Sequence, residues 1–390
     1  MTIDTSVVSV PFHRTAVGEE EAQAVAETVR SGWITMGPRT LEFEKQFAAY
    51  VGAKHALAVS SCTAALHLAL DAIGLRPEDE VLVPTVTFTS TAETVAYFGA
   101  RPVLVDVDPV TLNMSPEDAA RKITAHTKAM IPVHLAGLPC DMKELQDIAE
   151  RHRLRVIEDA AHAVPASYRG VPIGALSETT CFSFYATKTL ACGEGGMVTT
   201  GSDAIAERVR IMRLHGISRD AWKRYTSEGS WHYEVLHAGY KYNMTDVQAA
   251  IGLVQLAKCD RMRAQRARIA QRYNAAFSRL PMLEIPAQRD DRQSALHLYA
   301  LRLNLPQLTI DRAEFIRELG SRGVATSVHF IPLHMQPYYR DTYGYRPEDL
   351  PVALREYQRY LSLPLFPSMT DEQVEHVIAS VCEIAERHRR

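Results

Sequence analysis

The sequence has no clustered cysteines, no long apolar run and no surplus of charge of either sign. Its six cysteines, Cys62, Cys140, Cys181, Cys192, Cys259 and Cys382, are scattered, and none forms a Cys-x-x-Cys pair. That argues against a disulfide framework and a zinc site, so no metal is expected and the thiols read as reduced and mostly buried. Nowhere do about 18 uncharged apolar residues run together, so no membrane span is expected. The N-terminal stretch MTIDTSVVSVPFHRT lacks the basic start and apolar core of a signal peptide, which makes a cytoplasmic location the expectation. With 43 Lys and Arg against 46 Asp and Glu, the formal net charge is -3, without the basic excess of a dedicated nucleic-acid binder. Internal repeats, low-complexity tracts and long flexible linkers are also missing.

What is present is an ordinary globular profile: 390 residues, 46% hydrophobic and 23% charged. That length suggests two or three domains and a core that needs no covalent staples. Helical periods at 19–30, 41–51, 63–73, 89–98, 145–151 and 203–214 alternate with short apolar strands at 55–60, 80–84, 101–106, 128–133 and 155–158. Short connections that mostly contain a helix are what parallel strands require, so the expected class is α/β. The pattern changes near residue 200. Residues 215–239 read as a polar, aromatic loop carrying Trp222, Arg224, Tyr225, Trp231 and Tyr233. A long amphipathic helix follows at 245–279, with a bend or break expected near Cys259–Asp260. A smaller α+β unit is expected after it: a strand at 298–303, a helix at 312–322, a strand near 325–330 and a last helix at 371–387. The expected division is a large unit, 1–258, and a small one, 259–390.

Three segments carry chemistry. The first, SSCTAA at 60–65, joins a strand to a helix. Free backbone N–H groups and the helix dipole favour an anion there, Thr63 adds a hydroxyl donor, and small Ala64 lets a phosphate approach; the same residues also make an ordinary helix cap. The second, VIEDAAH at 156–162, puts Asp159 at the carboxyl end of a buried strand, where ligands sit in open α/β sheets. That carboxylate suits either a helix cap or a buried cation such as a protonated ring nitrogen. The third, CFSFYATK at 181–188 followed by GEGG at 193–196, leads an apolar strand into a single lysine. Held among apolar neighbours, Lys188 has a lowered pKa and a neutral amine able to form a Schiff base, whereas on an exposed turn it is simply solvated. Together, in this order, they supply what pyridoxal 5'-phosphate needs: a phosphate cradle that includes Ser183, a carboxylate for the pyridine nitrogen and a lysine for the aldehyde.

Motifs along nearly the whole chain then carry a resemblance: SGWITMGP (31–38), SSCTAALH (60–67), PTVTFTSTA (84–92), VDVDPVTLNM (105–114), IEDAAHA (157–163), FSFYATKTLACGEGG (182–196), GYKYNMTDVQAA (239–250), VHFIPLH (328–334) and SLPLFPSMT (362–370). In this order they resemble the DegT/DnrJ/EryC1/StrS family of pyridoxal-phosphate-dependent sugar aminotransferases, and most of all the enzymes that aminate C4 of UDP-linked 4-keto sugars in the aminoarabinose and pseudaminic-acid pathways. The resemblance implies the type I fold of these transferases, with a mostly parallel seven-stranded sheet and a small C-terminal α+β domain. It implies Lys188 as the Schiff-base lysine and proton shuttle, Asp159 on the pyridinium nitrogen, His162 near the ring's phenolic oxygen and Phe88 stacked on the ring. Thr63, Ala64 and Ser183 hold the phosphate. GYKYN stands where many relatives read GYNYR, so Lys241 or Asn243 reaches the cofactor of a second subunit in a homodimer. Trp33, Ile34, Thr35 and Gly37, with His329, Phe330 and His334, line the pocket for a nucleotide-linked keto sugar, and glutamate is the implied amino donor. Pyridoxal and pyridoxamine 5'-phosphate are the expected cofactor forms. A dehydratase of the same fold and a non-catalytic cofactor-binding protein are the competing readings; Lys188 speaks against both.

Overall fold

The computed structural model describes residues 8–218 and 232–390; Trp222, Arg224, Tyr225 and Trp231 of the expected loop lie outside the described residues. At the centre is a seven-stranded sheet. In spatial order its strands are His55–Val59, Gly196–Thr200, Thr179–Ser183, Arg155–Asp159, Thr127–Met130, Glu80–Pro84 and Arg101–Val105. Neighbouring strands are parallel except at Gly196–Thr200, which runs against both of its neighbours. The α/β class with a mostly parallel sheet is as the sequence leads one to expect.

Side chains of a strand alternate between its faces, and here both faces are buried. Val81 and Val83 enter one hydrophobic core while Leu82 enters the other; Leu57 and Val59 part from Ala56 and Ala58 in the same way. Helix Cys62–Ala72 packs into the first core through Leu66 and Leu70. Helices Pro38–Val51 and Met142–His152 pack into the second through Phe43, Phe47, Leu145 and Ile148. Burial on both sides is why these strands read as continuous apolar runs.

The C-terminal part has its own antiparallel sheet of Leu283–Glu284, Tyr299–Leu303 and Tyr360–Leu363, with helices Arg312–Ser321 and Asp371–Arg387 contributing to a third core. Val10 is fully buried in that core and bridges to Val324, so the N-terminal segment starts among C-terminal residues. Two expectations are corrected here. The long helix, Asp246–Phe277, is continuous through Cys259–Asp260. Cys259 is buried and Asp260 accepts a hydrogen bond from the Tyr50 hydroxyl at 2.6 Å, so the Asp side chain has an outside partner and does not compete for the helix backbone. Residues 325–330 form no strand. Only Ser327 pairs, with Ser362, and the third strand of the small sheet comes instead from Tyr360–Leu363.

One carboxylate fastens the N-terminal helices to the long helix. Helix Pro38–Val51 has Gly37 at its N-cap and so no capping side chain of its own. Asp246, 1% exposed, supplies the cap from the first turn of the long helix. It accepts from the backbone N–H groups of Gly37 (2.8 Å), Arg39 (3.0 Å) and Thr40 (2.9 Å) and from the Thr40 hydroxyl (2.7 Å). The change Asp246→Ala strands these donors in a buried place. It is expected to cost about 3 kcal/mol or more, read as a lower urea midpoint; an unchanged midpoint would contradict this role.

Candidate active site

The parallel strands deliver their functional residues to one edge of the sheet, the edge at their carboxyl ends. A cavity of about 460 Å³ opens there, and Ser61, Thr63, Phe88, Asp159, His162, Ser183, Lys188, His329 and Phe330 are among its walls.

The anion-binding end is built by the turn after His55–Val59. Ser61 caps helix Cys62–Ala72, its hydroxyl oxygen accepting the Ala64 N–H at 3.0 Å. That corrects one detail: Ala64 is buried and its N–H is already used, while the backbone N–H groups of Cys62 and Thr63 have no partner among the described residues. Those two groups, with the Thr63 hydroxyl and the helix dipole, are the available anion donors. Gly196 makes this turn possible. It pairs with both Val59 and Ser183, and a Cβ on it would stand 2.4 Å from the Ser61 carbonyl carbon and oxygen and 2.7 Å from the Cys62 nitrogen.

Asp159 is 4% exposed at the end of its strand. Its Oδ2 accepts from the Thr91 hydroxyl at 2.8 Å and its Oδ1 from the Ala161 N–H at 3.1 Å. Since Thr91 spends its one proton on Asp159, the Thr87 hydroxyl donates to Thr91 at 2.8 Å, and a relay of hydroxyls fixes the carboxylate. Burial raises the Asp159 pKa; the Thr91 and Ala161 hydrogen bonds and the charge of Lys188 oppose that. No cation lies within ion-pair distance of Asp159 among the described residues.

Lys188 follows the turn after Thr179–Ser183, its N–H bonded to the Tyr185 carbonyl at 2.8 Å. Burial lowers its pKa to about 8, with Cys62 and Asp159 pulling the other way. Its amine therefore gives up its proton far more readily than an exposed lysine's, so a useful fraction is free base near neutral pH, as a Schiff-base lysine needs. His162 is buried and accepts the Ala136 N–H through Nδ1 at 3.3 Å, which assigns its proton to Nε2. Burial, then the charges of Lys188 and His329, hold its pKa well below the usual histidine value, so the ring stays neutral. Phe88, 58% exposed, stands at the cavity with its ring 5.9 Å from that of Phe330. The Nδ1 of His329 lies 3.0 Å from the Ser362 hydroxyl, its ring stacks on Phe12 at 5.4 Å, and burial lowers its pKa to about 4.

Other expected residues lie elsewhere. His334 is fully buried away from the cavity: its Nδ1 meets the Thr85 hydroxyl at 2.7 Å and its Nε2 the Pro347 carbonyl at 3.2 Å, so it braces the core and offers nothing to a sugar. Trp33, Ile34, Thr35 and Gly37 do not line this chain's cavity; the Trp33 Nε1–H turns back to the Met36 carbonyl and Gly37 is held by Asp246. Lys241 and Asn243 bond to one another and also stand outside it. Thr87, Thr91, Phe12, His13 and His297 belong to the site's surroundings and were not singled out by motif. Thr91 does fall inside PTVTFTSTA, one helix turn beyond Thr87, and that spacing was the available signal.

The site as built fits pyridoxal phosphate. A buried carboxylate without a counter-cation, a lysine of lowered pKa and an anion-binding helix start face one cavity, which is the set of groups that the cofactor's ring nitrogen, aldehyde and phosphate require. The class so defined is a pyridoxal-phosphate transferase of α/β architecture. The chain belongs to the DegT/DnrJ/EryC1/StrS aminotransferase family, whose sequence profile matches residues 15–382. The spore coat polysaccharide biosynthesis protein SpsC of Bacillus subtilis is 49% identical over 376 residues, 96% of this chain and 97% of that protein. The uncharacterized protein MJ1066 of Methanocaldococcus jannaschii is 50% identical over 380 residues, 97% of this chain and 98% of that protein. Spr1654 of Streptococcus pneumoniae, described as a sugar aminotransferase and solved in its PMP form, superimposes with a TM-score of 0.91 at 32% identity, covering 97% of this chain and 98% of that one.

The change Gly196→Ala drives a methyl group into the phosphate-binding turn. It is expected to weaken recombination of apoenzyme with pyridoxal phosphate by about tenfold or more, the effect of one good hydrogen bond to a charged group. Fluorescence titration measures this, and an unchanged affinity would overturn the role given to the turn.

Proposed function

We propose that this protein is a sugar aminotransferase that moves an amino group from glutamate to the keto carbon, C4, of a UDP-linked keto sugar. The observation that carries the reading is the pairing across one cavity of a depressed-pKa lysine, Lys188, with an uncompensated buried carboxylate, Asp159. SpsC, named for polysaccharide biosynthesis, and Spr1654, described as a sugar aminotransferase, support the sugar as acceptor.

Bound pyridoxal phosphate supplies an aldehyde for an amine and a ring that accepts electrons. The rest is the work of this chain. Lys188 would hold the cofactor's aldehyde through its Nζ. With the donor bound, the same Nζ would take the proton from the donor's α-carbon and, for the sugar, give a proton to the carbon that receives the amine. Asp159, whose charged form the Thr91 and Ala161 donors favour against burial, would hold a proton on the ring nitrogen and so favour electron withdrawal. His162 presents an Nε2–H to an oxygen acceptor at the ring's edge. Thr63 and Ser183 fix the phosphate, and Phe88 covers the ring. In this reading the working form is a homodimer. Lys241 or Asn243 then serves the neighbouring subunit's site, which accounts for their position outside the cavity of their own chain.

Purified enzyme loaded with pyridoxal phosphate is expected to lose its visible absorption band on adding L-glutamate, releasing one equivalent of 2-oxoglutarate. Lys188→Ala should show no such conversion. The pyridoxamine form, offered UDP-, GDP- and dTDP-linked keto sugars, should regain the band with the UDP sugar. A band indifferent to glutamate and to every other amino acid would refute the reading.

A further inference from the structure

Four buried nitrogen atoms lack any hydrogen-bond partner among the described residues: His13 Nε2, Arg213 Nε, Arg266 Nε and His297 Nδ1. Arg213 is otherwise well supplied, since its guanidinium pairs with Glu44 and donates to the Ala58 carbonyl. The other three belong together. Arg266 sits on the buried face of helix Asp246–Phe277, 2% exposed. That helix runs along the segment that carries His297: Arg263 Nε donates to the Ser294 carbonyl at 3.0 Å, and Asn274 accepts from the Tyr299 hydroxyl at 2.7 Å. Arg266 lies between these two anchors, as His297 lies between Ser294 and Tyr299. Burial chiefly holds both imidazoles neutral; the Arg266 charge comes next for His13, and for His297 it adds to the charges of His162 and Lys188. Both His13 and His297 line the cavity that holds Lys188.

Arg266 has no ion pair and no hydrogen bond to any described residue, although a guanidinium has five N–H donors. A buried charge without a partner is costly, and proteins rarely keep one unless something completes it. What completes a buried guanidinium whose charge reaches two imidazoles of the cavity wall, though it is not itself among the wall residues, is an anionic oxygen group. Among the described residues the walls of the cavity include no arginine, and the lysine there, Lys188, is committed to the cofactor. The amino donor, however, brings carboxylates that must be met.

We propose that Arg266, with His297 and His13, forms an anion subsite adjoining the cavity that seats a carboxylate of the amino donor. The assignment deepens the aminotransferase reading and rests on it. A carboxylate is favoured over the phosphates of a nucleotide by position. The His297 ring centre is 4.3 Å from that of His162, close to where the chemistry occurs. A donor's carboxylate lies one to a few bonds from its reacting carbon, whereas a sugar ring separates a diphosphate from the carbon to be aminated.

The test uses the cofactor-loaded enzyme and maleate, a dicarboxylate that cannot react, with binding read by calorimetry. Arg266→Met is expected to weaken maleate binding by about 10- to 100-fold, the loss of a charge-assisted contact, and to raise the apparent Kd for glutamate in the spectral titration by a similar factor. UDP binding should stay within twofold. The thermal midpoint of R266M should stay level or rise, because an uncompensated buried charge has been replaced by an apolar side chain. A purely structural arginine would instead lower it. Should R266M not fold, His297→Gln is the second variant, with maleate binding weakened about three- to tenfold. Maleate affinity unchanged in these variants, or UDP binding lost in place of maleate, would overturn the proposal. Because maleate is not turned over, this outcome stands apart from a failure of the aminotransferase reading, in which the wild-type band ignores all amino donors.

Discussion

The carboxylate of Asp159 is buried and has no positive partner of its own, and the structure is arranged around that fact. Taking an ionised carboxylate out of water is unfavourable unless hydrogen bonds and a counter-charge meet it. Thr91 and Ala161 supply the hydrogen bonds, and the charge of Lys188 acts from across the cavity. Lys188 is likewise out of place, its pKa brought down by burial. On the proposed reading, one molecule with a protonated ring nitrogen and an aldehyde would relieve both, giving the carboxylate a cation and the readily deprotonated amine an electrophile. Two groups that are each awkward in the empty protein are thus matched to the same ligand.

Holding the two groups in register is a task for the sheet. Asp159 and Ser183 end adjacent parallel strands, and the anion-binding turn follows a third. The reversed strand Gly196–Thr200 lies between that third strand and Ser183, and its glycine lets the turn close in. Neutral imidazoles then occupy the other walls, since burial keeps His162, His297 and His329 from taking a proton. Among the described residues, a cavity walled this way leaves Lys188, with its pKa of about 8, poised to change its proton state near neutral pH.

Much of this was legible in the chain. Short apolar runs, glycine stops and capping residues located the longer helices and the parallel strands within a few residues, but not the short helices Pro116–Arg121, Pro337–Tyr343 and Pro351–Tyr357. The order of Thr63, Asp159, Ser183 and Lys188 pointed to the site because Asp159 and Ser183 end strands and the other two follow closely after strand ends, where geometry is constrained by the fold. Other features were hidden because they depend on contacts between distant residues. Nothing near Asp246 announces that it caps a helix some 200 positions away, and nothing around Gly196 reveals the Ser61 backbone packed against it. The bend expected at Cys259–Asp260 was a local inference from a polar residue, and Tyr50 cancelled it from outside. His334 shares a motif with His329 and Phe330, yet the chain turns between them, so that one faces the cavity and the other the core. The group of His13, Arg266 and His297 comes from three separate segments and has no sequence signature.

The central claim is a single covalent partnership, and reduction tests it most directly. Enzyme loaded with pyridoxal phosphate would be treated with borohydride, digested and analysed by mass spectrometry, alongside Asp159→Asn prepared in the same way. The account predicts one pyridoxyl group on the peptide that contains Lys188, with weaker cofactor retention when Asp159 is neutralised. A label on any other lysine, or equal retention in both proteins, would contradict it.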